Sequence, residues 1–194
     1  MTIKNKTDYI HYLDEDKRAL GAFTKHPVFA DNIMILLTDP CWKFQKQLRR
    51  LEYWTNCKHS FLEKSFIWIL RKRYQKMCVQ LGLTIPINVF DEGLCIMHFG
   101  SIVVSRHAKI GKYCTINSGV NIGGTSDGKA PAIGNHCFIG PGAKLFNNIC
   151  IGDHVKIGAN SVVNKSFDEN NITIAGAPAK IVDRHSGEKV SQNV

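Results

Sequence analysis

Residues 110–163 read IGKYCTINSGVNIGGTSDGKAPAIGNHCFIGPGAKLFNNICIGDHVKIGANSVV. Aliphatic residues recur there at every sixth position, at Ile110, Ile116 and Ile122, and again at Ile133, Ile139, Leu145, Ile151, Ile157 and Val163. Two residues before each stands a second small or apolar side chain, at Ala108, Cys114, Val120, Cys137, Ala143, Ile149, Val155 and Ser161, with position 131 the one left unfilled. Residues two apart share one face of an extended segment, so each hexad reads as a short strand with two inward side chains. Glycine follows the aliphatic at Gly111, Gly123, Gly134, Gly140, Gly152 and Gly158, and marks a corner where a Cβ is a liability. No helix has this period. A strand this short buries little by itself, so hexads must stack, three to a turn, into a triangular prism filled with aliphatics.

Working outward, the aliphatic phase runs back through Val104 and Ile102 to Ile96 and position 98, which is histidine. His98 thus reads as an imidazole in an aliphatic slot, and a residue that breaks its local rule is a candidate functional site. Between Ile122 and Ile133 the spacing is not a multiple of six, so GGTSDGKAPA (123–132) leaves the prism as a glycine-rich loop, the usual place for function on a solenoid. Leu83, Ile85, Ile87 and Val89 alternate as the way into the prism, residues 93–104 form its first coil, and Ile172 and Ile174 resume the pattern before AGAPAKIV closes it.

Residues 1–82 lack the hexads. Tyr9, Tyr12, Leu13 and Leu20 suggest a helix over Asp8–Leu20, and Pro27 and Pro40 bracket an irregular stretch. Trp42–Trp54 and Phe61–Leu81 read as two amphipathic helices with basic backs, the second ended by Gly82. The expected organisation is a helical domain (1–82), a β-helix (83–182) and a polar tail (183–194).

The chain has 194 residues, 25 Lys+Arg against 16 Asp+Glu, and 44% hydrophobic residues. Residues 1–84 hold 15 of the basic and 8 of the acidic groups, so the helical front is the basic part and favours anionic partners. No apolar run approaches the length of a membrane span, and the start, MTIKNKTDYI, lacks the apolar segment of a signal peptide, so a cytoplasmic protein is expected. Seven cysteines, two of them at inward positions, predict free thiols, and no zinc spacing is present. His136 and His154 fall one coil apart and would stack, yet a third ligand is missing, so no metal is expected. Only net charge speaks for nucleic acid, and none is expected as a partner.

The segments GLCIMHFGSIVV, INSGVNIGGT, IGANSVVNK and AGAPAKIV together resemble the serine acetyltransferase branch of the hexapeptide-repeat acyltransferases, over about residues 83–182. More narrowly they are similar to bacterial members that O-acetylate cell-surface polysaccharides. The resemblance implies a left-handed parallel β-helix, a homotrimer with each site shared between two subunits, and acetyl-CoA as donor. It implies that His98 is the general base taking the proton of an acceptor hydroxyl. It places coenzyme A in the groove between neighbouring prisms, against Gly123, Gly124, Thr125 and Ala159, with Lys165 and Lys180 meeting the phosphates and Lys129 as a weaker candidate. In that branch an aspartate precedes the catalytic histidine and a histidine precedes the loop proline; here these places hold Met97 and Ala130. Without a carboxylate beside His98 an ammonium-bearing acceptor loses an anchor, so the expectation is a saccharide hydroxyl, acidic or lipid-linked, within polysaccharide biosynthesis. Serine O-acetylation and amino-sugar N-acetylation are the alternatives. A non-enzymatic alternative is a scaffold docking a glycosyltransferase or a membrane through residues 42–81.

Overall fold

The computed structural model describes residues 2–24 and 39–185. Most of the stretch read as irregular between Pro27 and Pro40, and the tail from residue 186, lie outside them.

Strands of two or three residues, lengthening only at the last coil, stack into a parallel β-solenoid with three faces. The first face orders β1 (Leu83–Thr84), β3 (Ile102–Val104), β6 (Asn121–Ile122), β9 (Lys144–Leu145) and β12 (Val162–Val163). The second stacks β4 (Lys109–Ile110), β7 (Ala132–Ile133) and β10 (Cys150–Ile151), extended by single bridges at Phe90 and Phe167. The third holds β2 (Cys95–Ile96), β5 (Thr115–Ile116), β8 (Phe138–Ile139), β11 (Lys156–Ile157), β13 (Ile172–Gly176) and the antiparallel β14 (Ala179–Arg184). The expected inward residues all point in: none of the nine sixth-position aliphatics, nor of their eight companions, is more than 4% exposed. Each buried aliphatic of this size stabilises by about 1.5–3 kcal/mol, and the coils share one continuous column. The single polar companion, Ser161, accepts the Gly176 N–H at 3.3 Å.

Corner glycines act differently from the reading above. At Gly134 φ is not left-handed; a Cβ would come within 2.4 Å of Asp153 Oδ1 and 2.6 Å of the Gly152 carbonyl in the next coil. Close stacking therefore demands the glycine. The left-handed turn falls two residues later, at Tyr113, His136 and His154, with φ of 53°, 56° and 58°. Their rings stack along the corner, Tyr113 on His136 at 4.9 Å and His136 on His154 at 4.7 Å. Beside them runs a polar ladder in which Lys112 N–H, Asn135 N–H and Asp153 N–H donate to the side chains of Asn135, Asp153 and Asn170.

Helices α1 (Lys6–Thr24), α2 (Pro40–Cys57) and α3 (Phe61–Leu81) cover the open first coil. The Asp39 carboxylate caps α2 by accepting Trp42 N–H at 2.6 Å, with Pro40 in its first turn. The Glu63 carboxylate accepts Ser60 N–H at 2.8 Å at the start of α3, and Gly82 ends that helix at φ 65°, a left-handed position glycine adopts freely. On its buried face α2 carries Phe44, Leu48 and Leu51 together with Gln45 and Arg49. Arg49, fully buried, donates to Asp16 at 2.8 and 3.1 Å, to Glu52 at 3.0 Å, and to the carbonyls of Phe90 and Asp91 at 2.9 and 2.6 Å. Its guanidinium lies 4.8 Å from the Tyr12 ring. Arg49 thus joins α1 and α2 to the solenoid's first coil, while Tyr74 of α3 donates to Ile85 O at 2.5 Å.

Candidate active site

His98 is not in the aliphatic slot. Ile96 pairs with Ile116, twenty residues on, whereas Val104 pairs with Ile122, eighteen on. The corner between β2 and β3 therefore holds two extra residues, and the inward pair there is Leu94 with Ile96. The hexad phase breaks at that corner, so extrapolating it from Val104 puts position 98 on the wrong side of the chain. His98 stands on the outside, exposed, on a turn shaped by Gly100 and Ser101 at φ 113° and 52°. Among the described residues its imidazole has no hydrogen-bond partner, which leaves both ring nitrogens free to meet a substrate.

The strand leading to His98 is held from the helical side. Gln45 Nε2 donates to Leu94 O at 2.7 Å, Gln45 Oε1 accepts Ile96 N–H at 3.2 Å, and Met97 N–H donates to Ile116 O at 3.1 Å. An edge strand of two residues would fray in water; with one glutamine bonding Leu94 O and Ile96 N–H it is fixed up to the residue before the histidine.

The glycine-rich loop leaves the next corner, between β6 and β7, and closes on itself. Thr125 N–H donates to Lys129 O at 2.7 Å, Gly128 N–H to Thr125 O at 3.1 Å, and the Thr125 hydroxyl bonds the Asp127 carboxylate. Lys129 pairs with Asp127 at 3.0 Å. These two partners, the Thr125 hydroxyl first, hold the Asp127 carboxyl below the ordinary carboxylate range. A Cβ on Gly124 would lie 2.8 Å from both Lys129 O and Ser105 Oγ, so that position admits no side chain. His107, one coil earlier on the same edge, sits beneath Gly128.

The remaining candidates divide between the two edges. Ala159, exposed, is on the corner of His98 three coils further along, roughly 14 Å at the strand spacing of a stacked sheet. Lys180 is on β14 opposite Ala175, at the end of that same edge. Lys165 is on the loop's edge, two coils beyond the loop, with its ammonium 5.4 Å from the Phe167 ring. One protomer therefore groups Gly123, Gly124, Thr125 and Lys165 on one edge and His98, Ala159 and Lys180 on the other, with the β1-β3-β6-β9-β12 face between them. Asp127 and His107 were missed from the sequence. Asp127 had a readable signal, being the lone acid of the loop, while His107 acquires its place only when the loop folds back over it.

His136 and His154 do stack, but among the described residues no three His, Cys, Asp or Glu side chains gather as a metal site needs. The cysteines are free, and Cys114 and Cys137 sit one above the other in the core with both thiols directed at backbone carbonyls. Among the described residues no helix is long and apolar enough to cross a membrane.

A three-faced stack of hexads with an imidazole and a glycine-rich loop on adjacent edges defines a hexapeptide-repeat acyltransferase, and the family of bacterial transferase hexapeptide repeats matches residues 131–165. The serine acetyltransferase of Helicobacter pylori strain 26695 is 35% identical over 130 residues, 65% of this chain and 75% of that protein. That of Synechococcus elongatus is 38% identical over 102 residues, covering 51% of this chain and 41% of its own length. The crystal structure of the Brucella abortus serine acetyltransferase in complex with coenzyme A superposes with a TM-score of 0.72 at 27% identity, over 93% of this chain and 70% of that one. The chain belongs to the serine acetyltransferase family, and its prism is the left-handed parallel β-helix. These relatives overturn the saccharide reading and its place in polysaccharide biosynthesis. That reading rested on a narrower resemblance and on two departures, Met97 and Ala130 in the places of an aspartate and a histidine. Two side chains are weak ground against similarity spread over 130 residues, since a group lost at one position of a site can be supplied from another.

Proposed function

We propose that this protein transfers the acetyl group of acetyl-CoA to the side-chain hydroxyl of serine. The observation that carries the reading is the outward, unpartnered imidazole of His98 in a chain so similar to serine acetyltransferases. The His98 ring takes the hydroxyl proton as that oxygen attacks the thioester carbonyl carbon. As the carbon–sulfur bond breaks, the imidazolium returns the proton to the coenzyme A thiolate. The products are O-acetylserine and the free thiol.

The two edges complete each other in a closed trimer, where the His98 edge of one protomer faces the loop edge of the next. Coenzyme A then lies in the groove between prisms, against Gly123, Gly124, Thr125 and Ala159, with Lys165 and Lys180 at its phosphates. Asp127, carried on the loop, supplies the carboxylate for the serine ammonium that position 97 does not. Its carboxyl, held below the ordinary carboxylate range, stays charged at neutral pH.

Thiol release from acetyl-CoA tests the reading. Release should depend on L-serine, and a protein that binds acetyl-CoA but ignores serine would overturn it. His98→Ala should lower kcat by about 10²–10⁴ with the trimer intact by light scattering, the contribution typical of a general base. Asp127→Asn should raise KM for serine about tenfold with kcat little changed, because it removes one charge-assisted contact. An unchanged KM would take Asp127 out of the acceptor site.

A further inference from the structure

The outward face of α3 has no partner among the described residues. Its inward face, with Leu70 and Tyr74 buried and Phe66, Ile67, Met77 and Leu81 packed on the core, accounts for half of the helix. On the other half Phe61, Leu62, Trp68, Ile69 and Val79 are 81%, 78%, 62%, 47% and 83% exposed. Between and beside them stand Lys64, Arg71, Lys72, Arg73 and Lys76, all exposed, and none is in an ion pair among the described residues. Lys72 instead rests 5.7 Å from the Trp68 ring. Glu63 is the sole acid of the helix, and it is turned to the helix start and Lys58.

We propose that this face docks the protein on an anionic phospholipid surface, with Phe61, Leu62, Trp68 and Ile69 entering the acyl boundary and the five cations meeting lipid phosphates. Charge complementarity selects that occupant. A second copy packed face to face would bring two sets of five cations together with only Glu63 on each side to offset them. A nucleic acid would leave Leu62, Ile69 and Val79 without a role, since aliphatic side chains neither stack on bases nor bind phosphate. A bilayer surface satisfies both halves of the composition: apolar side chains leave water, and cations stay at the headgroups. Trp68 beneath Lys72 is the arrangement of an interfacial aromatic with its cation at headgroup level.

The test is co-sedimentation of the purified full chain with vesicles of phosphatidylcholine alone and of phosphatidylcholine mixed with phosphatidylglycerol. Binding is expected only to the mixed vesicles and should weaken as salt is raised. Arg71→Glu with Lys72→Glu should lower partitioning at least about twenty-fivefold, since each basic residue near an anionic surface contributes roughly fivefold. Phe61→Ser with Trp68→Ser should abolish binding while the helical circular dichroism stays that of the parent, which keeps misfolding from mimicking the result. Failure to sediment with the mixed vesicles overturns the proposal. So does binding unaffected by either double variant, or a Phe61→Ser, Trp68→Ser protein that splits into smaller assemblies by light scattering, since the face would then be an interface between copies. Lipid binding is read without acetyl transfer, so neither result bears on the reaction proposed above.

Discussion

In the prism each coil repeats the hydrogen bonds and the aliphatic fill of the coil beneath it, whereas the helical cap is tied to that prism by unlike contacts, the densest of them around one buried cation. The contrast is in how each region tolerates loss. A coil shares its burden with two neighbours, as in any quasi-one-dimensional repeat. The cap repeats nothing and concentrates its bonds: Asp16, Glu52, Phe90 O and Asp91 O all converge on Arg49. Burial pushes the carboxyls of Asp16 and Glu52 up, and the guanidinium beside them works against that rise. With the cation gone, two acids would be left in the core to be neutralised at their own cost.

Three substitutions test how differently the two regions tolerate loss. Arg49→Met carries the largest expected effect, a destabilisation of about 3–5 kcal/mol, the cost of breaking a buried pair from one side. The helical circular dichroism should then melt ahead of the prism; a single shared transition would show the two regions to be one cooperative unit. Ile139→Val, in the middle of the column, should cost only about 0.5–1.5 kcal/mol, measured by the urea midpoint. A loss as large as that of Arg49→Met would mean that the repeats are not redundant.

The smallest effect concerns the corner ladder. Burial first, and the neighbouring His154 second, hold the His136 pKa below its ordinary value of 6.5. The unfolded chain therefore binds that proton more readily than the folded one. Stability should be complete above about pH 6.5 and fall as the pH drops from there toward the folded value. His136→Asn keeps a residue suited to the left-handed turn and should flatten the profile between about pH 7.5 and about pH 5.5. A slope that persists would assign the proton elsewhere.

Much of the candidate site was legible in outline. The eleven-residue step from Ile122 to Ile133 announced the loop, and the histidine that broke the phase was singled out at position 98. Its orientation was misread for a physical reason: a solenoid keeps register only while every corner has the same length, and the corner carrying His98 is two residues longer. The acceptor was misread because two substituted places, Met97 and Ala130, were given the weight of a whole site. Asp127 becomes an acceptor candidate only once the loop is seen to close through Thr125 and Lys129.

The order of residues is enough to specify the prism, because a period of six with paired inward residues has one way of burying its aliphatic column, and every corner that follows it obeys. It also specifies the helical front, from periodicity and from Gly82. That Arg49, Gln45 and Glu52, polar groups among the apolar ones of a buried helix face, fasten that front to the first coil emerges only in the folded chain. Folding also distributes the candidate site residues over two edges of the prism. Both are contacts between segments far apart in the chain, such as Asp16 with Arg49 and Gln45 with Leu94, and no local pattern encodes a partner 33 or 49 residues away.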